Sequence, residues 1–457
     1  MTNTKDHEWT RDNFAAGSLE RETLDLLTQL VRNACVNDLT PDSGNEARSV
    51  ETLEEYFRDT PVSLRRIEAH PGRTTLVVTV AGYDPDAPSL TLMGHLDVVP
   101  VDEDRWSRDP FAAEIAQGAI WGRGTVDMLT LTSAMAVTTR RIATGPKPAG
   151  TLTFVAAADE EARGGLGIPW IAREHPDVIP WENCLSEMGG AHIHAADGKD
   201  SVVVIVGEKG AAQRRIHVHG DPGHGSVPFG KHSALEAIVE VSRRLRDAGR
   251  AIVPSPLWES FVDAFGFDAD VRHDLVEGTY DGDFSEFGEL AAYAHAISHV
   301  TFAQTVMRAG GPINVIPSSA YLEMDIRTLP GVTDDDVDAE IRRALGDLAH
   351  CVSIERLLSD PASESPATTR LFESISRVLK TQHSDSRIVP VLFPGGTDLR
   401  AARQRGGVGY GFGSHASERT LGAVYSQLHA HDEHMALEDV ALTVRALGDV
   451  VRDFLRL

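Results

Sequence analysis

At 457 residues the chain is long enough for two or three domains and at least one sizeable core. Apolar residues make up 42% and charged residues 24%, near globular averages, which excludes a disordered, collagen-like or coiled-coil chain. Its 43 basic and 68 acidic side chains leave a net charge of −25, so no basic face is expected for nucleic acid or an anionic membrane.

The start, MTNTKDHEWTRDNF, is polar and carries no apolar signal-peptide core, and no later run approaches the roughly 18 apolar residues of a membrane helix. Three cysteines, Cys35, Cys184 and Cys351, are too few and odd in number for a disulfide scaffold, so a reducing cytoplasm is the simplest home. Residues 20–36 place Leu24, Leu27, Leu30 and Val31 at helical spacing, and 46–58 continue in that style. Short apolar runs at 75–80, 90–93 and 152–157 then read as strands buried on both faces of a mostly parallel sheet, with a helix over 128–143 between two of them.

The pattern changes near residue 212. Residues 214–219 alternate, and 320–327 do so more cleanly: Ala320, Leu322, Met324 and Ile326 against Tyr321, Glu323, Asp325 and Arg327. One-sided strands of this kind belong to an antiparallel sheet with one wet face. With helices predicted over 233–248 and 334–348, they form an α+β unit inserted at 212–356. The flanking parts, 1–211 and 357–457, form one discontinuous α/β domain. The acidic stretch 254–300 takes no assignment. The α/β pattern resumes with a helix over 367–380, a strand over 388–393 and a last helix over 437–455.

Acidic residues and histidines gather where strands stop. Gly94-His95-Leu96-Asp97 follows one run, Asp159-Glu160-Glu161 a second, and Glu187-Met188-Gly189-Gly190 follows 183–186. Open α/β sheets bind ligands beyond the carboxyl ends of their strands. Taken singly, such an Asp is a turn or cap residue and adjacent glutamates are a solvated pair. As a set they predict a shared cation site. Cys184 reads as a small buried thiol. There is no HExxH, P-loop, GxSxG elbow or GxGxxG after a strand.

GHLDVVP (94–100), WGRGTVDM (121–128), Glu160-Glu161, SEMGG (186–190), GHGSVP (223–228), NVIP (314–317), DIRTLPG (325–331), PGGTDLR (394–400) and His429-x-x-x-Glu433 occur in this order. Together they resemble the M20 metallopeptidase family of aminoacylases, glutamate carboxypeptidases, desuccinylases and dipeptidases, over roughly residues 20–450. The resemblance implies a zinc-peptidase-like catalytic domain with a lid that also dimerises the protein. It implies two divalent ions per chain, zinc first, with cobalt or manganese as alternatives. His95 and Glu187 would hold one ion, Glu161 and His429 the other, and Asp127 both. Nitrogen and carboxylate donors suit zinc. His431 is the rival to His429; His192 and His194 read as loop residues. Glu160 matches the general base that takes a proton from a water activated by the ions. Asp97 matches the carboxylate that orients His95; two apart in an extended chain, they would share a side.

In the lid, His224 and Asn314 match groups that reach a neighbouring subunit's site. Arg327 matches the arginine that grips a substrate carboxylate. Gly395, Gly396 and Thr397 could offer backbone N–H groups to the same carboxylate. The implied reaction is hydrolysis of an amide beside a free carboxylate, as in an N-acyl amino acid. Alternatives are a dipeptidase, a glutamate-type carboxypeptidase and a non-catalytic binder. Two departures stand out: Leu129 follows Asp127-Met128 where many members carry lysine, and Met188 follows Glu187 where many carry glycine.

Overall fold

A computed structural model describes residues 9–457; the first eight residues of the polar start lie outside it. The continuous apolar runs form the middle of a ten-stranded sheet. Leu90–His95 and Leu152–Ala157 are buried along their whole length and lie parallel, side by side. Asn183–Ser186 and Val408–Gly411 extend the parallel block. Both faces need cover because side chains alternate across a strand. Phe154 faces a layer made by Leu19–Arg32, Leu129–Ala143 and Leu437–Leu455. Val155 faces Ile168–Glu174 and Leu399–Gln404 on the other side. Arg73–Val80 and Ser63–His70 add an antiparallel edge. The opposite side is built around Asp200–Glu208, which pairs with Arg387–Phe393 in parallel and with His192–His194 and Ser363–Glu364 antiparallel.

The inserted unit has a five-stranded, wholly antiparallel sheet of Gly210–Ala211, Arg214–His219, Thr301–Ala309, Ser319–Thr328 and Val352–Arg356. Helices Ala234–Asp247 and Asp334–Leu345 cover one face, with Ile238, Val241 and Ile341 on Ile216, Leu322 and Met324. Thr333 and Asp336 cap the second helix reciprocally.

The stretch 254–300 holds three helices, Pro256–Asp263, Ala269–Glu277 and Ala291–Ser298. Its aromatic residues Trp258, Phe261 and Phe287 pack with Val203, Ile205 and Val391 of the large sheet. Although it sits between strands of the inserted sheet in sequence, this stretch returns to the main body. The chain therefore passes between the two bodies four times, near 209–212, 248–254, 298–301 and 356–363. Lys209 staples two of these passages: its buried ammonium donates to the carbonyls of Ala296 and His299 at 2.6 and 2.7 Å and to Thr301 Oγ1 at 3.1 Å. Among the described residues no helix is long and apolar enough to cross a membrane.

Candidate metal centre

Parallel strands end together, so residues placed just beyond them meet. His95 closes Leu90–His95, Glu160 and Glu161 follow Leu152–Ala157, and Glu187 follows Asn183–Ser186. Asp127 arrives on the loop before helix Leu129–Ala143, and His429 on a loop near the C-terminus with a left-handed φ of 58°. His95 Nε2 lies 3.0 Å from Asp127 Oδ1 and 3.7 Å from Glu187 Oε2. His429 Nε2 lies 3.5 Å from Asp127 Oδ2 and 3.2 Å from Glu161 Oε2. Asp127 thus turns one oxygen to each histidine. Donor atoms of His95, Glu160 and Glu187, and likewise of His95, Asp127 and Glu161, fall within 4.8 Å of one another. Neither His429 nor His431 belongs to these groups; of the two, His429 is the one that lies against Asp127 and Glu161. His192 and His194 lie on a short strand, both turned to Asp200 and away from this centre.

The surroundings of His95 differ from the expected pairing with the Asp97 side chain. The strand stops at His95, the chain turns, and the ring Nδ1–H donates to the backbone carbonyl of Asp97 at 2.9 Å, while the nearer carboxylate oxygen is 3.6 Å away. The Asp97 carboxylate instead accepts the N–H groups of Glu160 and Glu161, at 3.2 and 3.1 Å, and the amide of Asn37 at 2.8 Å. It fixes the turn carrying the two glutamates. Asn37 also reaches Asp159 at 3.2 Å, and Asp159 is paired with the buried Arg73, which pairs with Glu46 at 2.7 Å. Glu433 does the same for the Asp127 loop: it pairs with Arg123 at 2.7 Å and accepts the N–H groups of Gly124, Val126 and Asp127 at 3.0, 2.7 and 3.1 Å. Of these supports, Asn37, Glu46 and Arg73 carried no sequence signal of their own, and Arg123 stood in the WGRGTVDM motif without a role.

Electrostatics argue for cations here. A carbonyl only accepts, so His95 Nδ1 carries a proton; burial opposes a charge on the ring, but the Asp127 and Glu187 carboxylates facing Nε2 outweigh it and hold the ring well above its ordinary value. Burial and the charge of Asp127 push Glu187 up to about 8 and Glu161 to about 7. Burial and Glu187 drive Glu160 well above the carboxylate range. Asp127 goes the other way: burial opposes its charge, but hydrogen bonds from His429 and His95 outweigh burial and hold it low. His429 rises to about 10 through its bonds to Asp127 and Glu161. Glu187 Oε2 is buried without a hydrogen-bond partner. Ligand atoms of one tetrahedral zinc stand about 3.3 Å apart, close to the spacings around both histidines. The oxygen and nitrogen donors, the orphaned oxygen and the crowding of carboxylates fit two divalent cations.

The centre opens into a cavity of about 1020 Å³ that Glu160, Arg327, Gly395, Gly396 and Thr397 also line. Arg327 reaches it from strand Ser319–Thr328 of the inserted sheet, its fork held by Asp325 at 3.0 and 3.1 Å. Thr397 differs from expectation: its N–H and hydroxyl both donate to buried Glu208, at 3.0 and 2.6 Å, which leaves the glycines to offer N–H groups. His224 and Asn314 do not join the cavity. They sit exposed at a two-stranded ribbon of the inserted unit, His224 on one strand and Asn314 just before the other, with His224 Nδ1 2.7 Å from Ser226 Oγ.

The sequence profile of Peptidase family M20/M25/M40 matches residues 91–453. A probable carboxypeptidase S-like 2 of Dictyostelium discoideum is 27% identical over 71% of this chain; the match spans 64% of that relative's length. Aminoacylase-1 of Mus musculus is 24% identical over 93% of this chain and 92% of its own. The crystal structure of an M20 family metallo-carboxypeptidase from Sulfolobus solfataricus superposes with a TM-score of 0.70 at 16% identity, covering 95% of this chain and all of that one.

Proposed function

The chain belongs to peptidase family M20/M25/M40, and from that premise we propose that it is a di-zinc amidohydrolase that releases an amino acid from an N-acyl amino acid. The observation that carries the reading is Asp127, with one oxygen toward His95 and the other toward His429 inside a ring of three glutamates. His95 and Glu187 would hold one ion and Glu161 and His429 the other, with Asp127 available to both. A donor set of imidazoles and carboxylates without thiolate suits zinc, and also cobalt or manganese. When bound, such ions supply Lewis acidity to a water and to the amide carbonyl.

The protein's own groups do the rest. Glu160 takes a proton from the attacking water and returns it to the leaving nitrogen; its buried setting raises its basicity toward the working range. Arg327 grips the free carboxylate of the substrate with a two-pronged donor set already held in orientation by Asp325. Gly395 and Gly396 line the same wall. Residues 212–356 form the lid, apart from the 254–298 segment that packs on the main sheet. The lid pairs with that of a second copy, so that His224 and Asn314 reach the partner's cavity. The exposed Val227, Phe229, Ile313 and Val315 around them support this.

The test is Glu160→Gln on zinc-loaded protein assayed with N-acetyl amino acids. Turnover falls by about 10²–10⁴-fold while elemental analysis still finds close to two metals per chain. A variant that keeps full hydrolysis, or a wild-type protein fully active after a chelator has stripped it, overturns the reading.

A further inference from the structure

The cavity wall assigned to the substrate's carboxylate is drawn from two bodies: Arg327 from the lid, Gly395 and Gly396 from the main body. One short stretch of chain, Glu208-Lys209-Gly210-Ala211, joins them. Glu208 ends the main-sheet strand Asp200–Glu208 opposite Phe393, two residues before Gly395. Ala211, three residues on, lies opposite Arg327 in the inserted sheet. On the other flank of its strand, Arg327 lies opposite Thr301. Lys209 is joined to both neighbours: it stands two residues before Ala211 in the chain, and its ammonium reaches Thr301 Oγ1 at 3.1 Å.

Glu208 and Lys209 are both fully buried, and successive side chains of an extended chain point opposite ways. Glu208 turns to the main body. Besides the N–H and hydroxyl of Thr397, its carboxylate accepts Arg400 Nε at 2.7 Å and lies 3.4 Å from Arg403 Nη1. That grip holds the loop of Gly395 and Gly396. Lys209 turns to the lid, where its acceptors are the last carbonyls of helix Ala291–Ser298 and the hydroxyl of Thr301, which opens strand Thr301–Ala309. The backbone of Lys209 belongs to the same junction: its N–H donates to the Phe393 carbonyl at 3.0 Å, and its carbonyl accepts from Arg400 Nη2 at 3.2 Å. The partial negative charge at a helix C-terminus offsets part of the cost of burying an ammonium whose partners are carbonyls and a hydroxyl. All three of its donors are engaged, so its direction is fixed.

We propose that Lys209 is a positioning residue for carboxylate recognition: with Glu208 behind it, it sets Arg327 at the separation from the Gly395-Gly396 loop that one carboxylate spans. Lys209 meets no substrate itself. It acts through Thr301 and the strands on either side of Arg327. This rests on the amidohydrolase reading for the carboxylate that Arg327 holds. Without the ammonium the lid strands can shift against the main sheet, and a misplacement of about 1 Å is enough to spoil a two-pronged guanidinium contact. The loss falls on substrates that carry the carboxylate and spares those that lack it.

The probes are N-acetyl-L-methionine and N-acetyl-L-methioninamide, which differ in whether the terminal group is charged. On the zinc-loaded protein kcat/KM favours the acid by about 10–100-fold, the worth of one charge-assisted contact. Lys209→Met brings that ratio toward one by raising KM for the acid, while kcat/KM for the amide stays within about threefold of wild type. Thr301→Val is the milder variant: it removes one of the three acceptors, lowers the ratio part of the way, and decides the matter where Lys209→Met does not melt cooperatively. A lysine that only stabilised the fold would lower the melting temperature and slow both substrates together. An unchanged ratio in Lys209→Met, or in Thr301→Val where only that variant folds, overturns the inference. A wild-type ratio near one removes the carboxylate grip itself and the inference with it. Calorimetry with L-methionine and L-methioninamide reads the same preference without turnover. If no N-acyl amino acid is hydrolysed, yet that preference is present and collapses in Lys209→Met, the amidohydrolase reading falls and Lys209 keeps its role.

Discussion

Glu433 shows how much of a metal centre is made by residues that never face it. Its two oxygens take Arg123 and the N–H groups of Gly124, Val126 and Asp127, and that grip fixes where Asp127 points. Glu433→Gln keeps the shape but leaves a buried guanidinium without its countercharge, a change worth about 3 kcal/mol of stability. Urea denaturation measures it; a loss within a few tenths of the wild-type value would show that the pair is dispensable. His95, Asp127, Glu160, Glu161 and Glu187 were legible in the sequence because each stands beside a strand end or within a short motif. Asn37 and Arg73 were not, because their partners lie 60 and 86 positions away and nothing local marks them; Arg123 stands inside the WGRGTVDM motif, but its partner Glu433, 310 positions on, gave it no role there. For the same reason the backbone carbonyl, not the carboxylate, of Asp97 meeting His95 could not be read from a two-residue spacing.

At the scale of elements, periodicity served where one rule governed a whole segment. The helices Leu19–Arg32, Leu129–Ala143 and Leu437–Leu455 and the alternating lid strands fall close to where spacing placed them. Asp200–Glu208 was legible but left unassigned: Val202–Val206 is an unbroken apolar run, and eight of the strand's nine residues are buried. The 254–300 helices escaped because they are short and bury aromatic residues at irregular intervals. The last helix also anchors a loop. Asp439, in its first turn, accepts the N–H of Ala416 at 2.8 Å and Arg419 Nε at 3.1 Å, with His415 Nδ1 at 3.3 Å. Burial opposes the Asp439 charge, but His415 and Arg419 prevail and hold its pKa below the ordinary 3.8. A folded carboxylate that keeps its charge to lower pH than the unfolded one adds stability above the unfolded value and loses it as pH falls through the folded one. Between about pH 5 and pH 2 the wild type should therefore lose more stability than Asp439→Asn, measured by thermal melts across pH. Parallel acid slopes would refute the linkage.

At the scale of the whole molecule, the cavity of one chain lacks His224 and Asn314, and the lid ribbon that carries them ends in exposed apolar side chains. If a second copy completes the site, Glu160→Gln and His224→Ala, each inactive alone, should complement when mixed. Half of the reassorted dimers are hybrids and each hybrid has one intact site, so about a quarter of wild-type activity returns. No recovery, with exchange verified by mass, would confine each site to its own chain. The path of the backbone also has a consequence for cutting the protein apart. Because the chain shuttles between its two bodies four times and Lys209 rivets two of those strands together, no pair of scissions can free either body intact. A truncation that treats the lid as one detachable cassette would strip three helices from the main sheet and leave its outer strands bare.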